Sequence, residues 1–178
     1  VLSWRYGMNV PQLAEYLKNH KVSFEIIEEQ GHFSALDSGN NAQAKTKDMV
    51  KTLMLWVDGN MSMMLLPSNM HIDFEQFAHA VEAKVVRMAS ENEFHMCFPE
   101  TELGAQPAIG NLFELPVYIA KPLSRHKSII FNGGNHHDLV KMHWSDFKAL
   151  VNPIIVNQGF NKKMNSSYTG KTIISHFH

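Results

Sequence analysis

The apolar positions along this chain come in short runs. The clearest is residues 49–67, MVKTLMLWVDGNMSMMLLP. Two apolar stretches flank the turn residues Asp58, Gly59 and Asn60, the pattern of a β-hairpin. Side chains alternate across a strand, so Met49, Lys51, Leu53, Leu55 and Val57 share one face and Val50, Thr52, Met54 and Trp56 the other. Both faces are mostly apolar, which predicts a strand inside a sheet and covered on both sides. Lys51 breaks the pattern, because removing an ammonium from water costs several kcal/mol unless an anion or polar pocket compensates.

Helical spacing appears in NVPQLAEYLKNH (9–20), where Pro11 suits a first turn and Leu13, Tyr16 and Leu17 make an apolar stripe. VSFEIIEE (22–29) alternates and reads as a strand. SALDSGNNAQAKTKD (34–48) is polar and reads as a loop with a short helix near 42–47. Asp73 with Gln76, and Ser90 with Glu93, have the capping-box spacing, so helices are predicted after each. Phe74, Phe77 and Val81 supply the buried stripe of the first, and the second runs through Cys97. Between them AKVVRMA (83–89) is a short strand. ELGAQPAIGNLFELP (102–116) is loop-like, with two glycines and two prolines within thirteen residues. VYIA, SIIFNGG and LVKMHW follow as strands, and Ser145 is the expected cap of a last helix carrying Phe147, Leu150 and Val151. Helices and strands intermix around an antiparallel hairpin, which predicts an α+β fold with a mixed sheet.

Composition narrows the function classes. A length of 178 residues suits one domain, here 1–156, with 157–178 a polar C-terminal tail or linker. Hydrophobic content of 44% and charged content of 19% are those of a soluble globular chain, and no apolar run approaches the ~20 residues of a membrane span. Trp4, Arg5 and Tyr6 interrupt the start, so no secretory leader is expected. One cysteine excludes an internal disulfide and fits a reducing cytoplasm. Sixteen Lys plus Arg against seventeen Asp plus Glu leave no bulk charge for holding nucleic acid. Eleven histidines fall in no zinc-ligand spacing, so no metal or other cofactor is expected.

Several chemistries drop out. There is no G-x-S-x-G elbow, P-loop or G-x-G-x-x-G, and Cys97, between Phe94 and Phe98, reads as a small buried thiol. Glu28, Glu29, Glu100 and Glu102 read as solvated surface charge. What remains is a lysine in an apolar strand, two glycine-containing loops and neighbouring histidines.

In this order those pieces resemble the YbaK/ProX family of aminoacyl-tRNA deacylases, also found as the editing domain of some prolyl-tRNA synthetases. The similarity rests on GHFSAL (31–36), VKTLML (50–55), GAQPAIG (104–110) followed by LPVYIA, and FNGGNHHDLVKMHWSDF (131–147), and spans roughly Val10 to Pro153. It implies a barrel-like, strongly twisted mixed sheet with surrounding helices. It also implies hydrolysis of the ester joining a wrong amino acid to tRNA, with the aminoacyl-tRNA acceptor end as partner and neither DNA nor membrane. By the resemblance Lys51 engages the terminal adenosine or its phosphate. Gly104 and Ala105 offer backbone N–H groups to the developing oxyanion. His32 and Ser34 shape the amino-acid end of the pocket. Gln106, Pro107 and Gly110 belong to the loop wall, and Gly134, Asn135 and His136 to the third segment, with His136 near the ribose or the water. Water attack assisted by the substrate fits the lack of a protein nucleophile. A small amino acid such as alanine or cysteine is the expected cargo, and a cytoplasmic setting follows. A second reading is a non-catalytic module that binds aminoacyl-adenosine, nucleotide or tRNA, joined to a signalling or synthetase domain.

Overall fold

The predicted hairpin pairs β2 (Val50–Val57) with β3 (Asn60–Pro67), antiparallel and in register from Val50↔Pro67 to Val57↔Asn60. In this computed structural model, which describes residues 10–28, 48–162 and 173–174, the turn is Asp58–Gly59. Both turn residues have positive φ, 48° and 81°, as a type I′ hairpin turn requires. The Asp58 carboxylate also accepts from the Lys84 and Val85 N–H groups, tying the turn to the start of β5 (Val85–Met88).

The alternation of the hairpin builds two cores. Val50 and Met54 of β2, with Met63 and Leu65 of β3, face a first cluster that includes Leu13, Leu17, Phe98, Ile109, Ile129, Phe131 and Phe147. Leu53, Leu55 and Val57, with Met64 and Leu66, face a second cluster around Ile72, Phe77, Val86 and Val156. The hairpin is thus covered on both sides, as its two apolar faces predicted.

Further strands extend it. A six-stranded mixed sheet has the order β11 (Ile173–Ile174), β5, β2, β3, β6 (Val117–Ala120), β9 (Ile154–Val156), with β3–β6 and β6–β9 parallel. A three-stranded antiparallel sheet has the order β1 (Phe24–Glu28), β8 (Asp138–His143), β7 (Ser128–Asn132). A parallel bridge between Met49 and Ile130 sets β7 beside the start of β2. A third pair joins β10 (Phe160–Asn161) to β4 (His71–Ile72). Beyond Asn157, then, the described chain returns to pair with both β4 and β5.

Helix α1 (Val10–Asn19) buries Leu13 and Leu17 in the first core. Helix α2 (Phe74–Ala80) starts on the Asp73 carboxylate, which accepts from the Gln76 N–H, and buries Phe77 in the second. Helix α3 (Glu91–Cys97) carries a full capping box from Ser90 and Glu93, but none of its own residues is buried. Cys97 is exposed, not the buried thiol expected: the core contacts are made by the half-buried Phe94 and by the buried Phe98, the residue after the helix. Helix α4 (Trp144–Val151) is capped at His143 without a side-chain hydrogen bond. Ser145 lies inside its first turn instead of capping it, because Trp144 is already helical.

Candidate functional site

Lys51 is the second residue of β2, on the face of Leu53 and Leu55. Its strand is pinned at the start by the Met49–Ile130 bridge and by a hydrogen bond between the Asp48 carboxylate and His126 Nδ1. The Lys51 side chain is half-buried, and its ammonium donates to the Met70 carbonyl just before β4. Burial pushes the Lys51 ammonium below the ordinary lysine value. A neutral carbonyl holds the charge without cancelling it.

The two glycine loops meet each other at Glu102. Its N–H donates to the Gly134 carbonyl at 3.0 Å, and its carboxylate accepts from the His136 N–H at 2.9 Å. The His136 imidazole reaches back, Nε2 lying 2.8 Å from the Leu103 carbonyl. Gly104 has φ +82°, a conformation that favours glycine, and His136 stands over it: a Cβ there would be 3.7 Å from His136 Cε1. Asn135 shapes the second loop by accepting from the His137 and Asp138 N–H groups while donating to the Asp138 carboxylate. Glu102, read from sequence as solvated surface charge, is thus a junction between the loops.

The rest of the first loop turns inward. Ala105, Gln106, Pro107 and Gly110 are buried, and Ala108 and Ile109 join the first core. Gly110 is there because nothing larger fits: an added Cβ would lie 2.4 Å from Val117 Cγ2 and 2.9 Å from the Leu115 carbonyl. The Ala105 N–H, expected to face the substrate, donates instead to the Glu102 carbonyl at 3.0 Å. So the structure gathers Gly104, Gly134 and His136 around Glu102, while Lys51 is held by Met70 on the second core's side of β2. The parallel Met49–Ile130 bridge staggers the strands so that the start of β2, with Lys51, lies level with the end of β7, which leads into Gly133 and Gly134. His32 and Ser34 lie outside the described residues. Among the described residues no three His, Cys, Asp or Glu side chains gather to hold a metal, and no helix is long and apolar enough to cross a membrane.

The family model of the aminoacyl-tRNA editing domain matches residues 33–150, more than half of the chain, and the chain belongs to that family. No curated protein is similar enough to count as a relative. Among solved structures, a scaffold protein used for computational grafting of linear epitopes matches with a TM-score of 0.70 at 15% identity, over 84% of this chain and 96% of that one. A candidate trans-editing enzyme for prolyl-tRNA synthetase matches with a TM-score of 0.66 at 18% identity, over 84% and 97% respectively. A candidate signal transduction protein from Marinobacter aquaeolei VT8 gives 0.63 at 14% identity, covering 82% of this chain and 30% of that one. The mixed α+β architecture is that of the editing domain, and among the described residues its sheets stay open instead of closing into a barrel. Aminoacyl-tRNA editing is accordingly the general role of this domain.

Proposed function

We propose that the protein is a cytoplasmic trans-editing deacylase that hydrolyses the ester of mischarged aminoacyl-tRNA carrying a small amino acid such as alanine or cysteine. Water adds to the ester carbonyl carbon, the carbonyl oxygen becomes an oxyanion, and collapse expels the ribose oxygen of the terminal adenosine, which takes up the proton. The substrate's own neighbouring hydroxyl helps to activate the water. Lys51 attracts the adenosine or its phosphate. The Gly104 N–H takes the oxyanion role, since that of Ala105 is engaged by Glu102. Gln106, Pro107 and Gly134 form the wall, and His32 and Ser34 the amino-acid end.

The observation that carries this reading is the junction of the two glycine loops at Glu102, within a chain of the editing-domain family. Likeness to a candidate trans-editing enzyme for prolyl-tRNA synthetase supports that synthetase as the one whose errors are cleared. The test is deacylation of a panel of aminoacyl-tRNAs by wild type and Lys51→Ala. The expected result is turnover of one or two small-residue esters by wild type and its loss in the variant. No turnover at any enzyme concentration would instead support a ligand-binding regulatory module, the reading that suits a fold also present in a candidate signalling protein.

A further inference from the structure

Residues Glu102, Leu103, Gly104 and Ala105 form a four-residue turn, closed by the Ala105 N–H donating to the Glu102 carbonyl. Gly104 has positive φ and Leu103 does not, the signature of a type II turn. A type I turn keeps the same closing bond and differs by a half-rotation of the central peptide, here Leu103–Gly104. Glycine at the third position tolerates either arrangement. What selects one is the bond from His136 Nε2 to the Leu103 carbonyl at 2.8 Å. A carbonyl only accepts, so Nε2 carries the proton. The peptide is planar and trans, so its N–H points away from its carbonyl. By holding Leu103 O, His136 aims the Gly104 N–H to the opposite side, away from itself. Glu102 in turn holds the His136 backbone through its carboxylate, across 34 residues of sequence.

We propose that Glu102 and His136 are positioning residues: together they lock the Leu103–Gly104 peptide in one of its two orientations and so preorganise the Gly104 N–H as an anion donor. His136 acts through the loop, not on the substrate. The geometry of the lock stands on the free protein, and only its kinetic consequence rests on the deacylase reading above.

Two measurements test it on the full chain. The first needs no substrate: backbone 15N relaxation dispersion of Gly104, which detects microsecond-to-millisecond exchange. Wild type is expected to show little exchange, and Glu102→Ala and His136→Ala a clear exchange contribution at Gly104. His136→Gln, whose amide nitrogen can reach the same carbonyl, and Glu102→Gln, which keeps an acceptor oxygen, are expected to suppress it. The second is alanyl-tRNA deacylation. The alanine variants should lose about 10- to 100-fold in kcat, the scale of an ångström-level misplacement, with KM within about twofold, and the glutamine variants should recover most of it. Gly104 dispersion unchanged in both alanine variants would overturn the proposal, as would a loss carried in KM and not rescued by glutamine. A wild type without activity would count against the deacylase reading, while the dispersion experiment would still decide the lock.

Discussion

Replacing Lys51 by Met separates a lysine kept for its charge from one kept for the fold. Methionine retains most of the apolar stem and drops the ammonium. Two opposing terms follow from the structure. The variant loses the bond to the Met70 carbonyl, where a hydrogen bond from a charged group is worth about 1.5–3 kcal/mol. It also removes the penalty of holding a charge half out of water with no anion beside it among the described residues, several kcal/mol for full burial and less here. The terms nearly cancel, so stability at neutral pH should stay within about 1 kcal/mol of wild type. For a chain of this size that is a Tm change of about 2–4 °C. The sign with pH is fixed by the direction of the shift. Burial lowers the folded-state pKa, so the folded protein sheds this proton before the unfolded chain does. Between the lowered value and the ordinary 10.5 the unfolded state binds more protons, and stability rises with pH. Wild type should therefore gain on Lys51→Met as pH climbs through that window. Deacylation, by contrast, should fall about 10²- to 10³-fold, the loss expected for one positioned electrostatic group. Thermal unfolding and deacylation measured on the same preparation decide the matter. A variant markedly less stable than wild type, yet equally active per folded molecule, would refute the reasoning.

Other outcomes follow from single observations. Gly110→Ala should cost about 1–3 kcal/mol in thermal unfolding, because its Cβ would sit 2.4 Å from Val117 Cγ2; an unchanged Tm would show that the first core yields there. The Arg87 guanidinium, at 2.7 and 2.9 Å, and the Ser90 N–H hold the Glu93 carboxyl well below the usual carboxylate range. A lowered folded-state pKa stabilises above the unfolded value of 4.5 and ceases to as pH falls through the folded one. The Tm advantage of wild type over Glu93→Gln should thus be full at neutral pH and shrink in acid; a gap constant with pH contradicts this. Because no three ligand side chains gather among the described residues, a chelator should leave deacylation unchanged, and loss on chelation with recovery on adding zinc would overturn that expectation.

The parts of the fold legible in sequence were those set by short-range periodicity. The two apolar faces of 50–57 announced two cores, and the spacings at Asp73 and Ser90 announced caps that form. Exposure was less legible. Cys97 sits between two phenylalanines, yet only Phe98 is fully buried; within the short α3 Phe94 packs half-buried against the first core while Cys97 faces outward. The site was legible as segments and not as contacts. Glu102 is exposed, as a surface charge should be, but it serves as a junction because a turn 34 residues later brings the His136 N–H to its carboxylate. No local pattern encodes such a meeting, since neither residue carries a spacing signal for the other.

The two cores also explain how the two halves of the proposed site would be held from two directions. The Gly104 loop hangs from the first core through Ala108 and Ile109. The carbonyl that holds Lys51 belongs to Met70, next to β4, whose Ile72 is buried in the second core beside Phe77. Between them stands the β2–β3 hairpin, packed on both faces and so unable to shift toward one core without opening a gap in the other. A substitution at Gly110 should therefore disturb the loop half, and one at Ile72 the lysine half, each with little effect on the other. Distant, independent sites add, whereas sites coupled through a shared partner do not. In the free protein the stability effects of Gly110→Ala and Ile72→Val should add. If the substrate spans both halves, their effects on kcat/KM should depart from additivity. Additive kinetics would mean that the substrate does not couple Lys51 to the Gly104 loop.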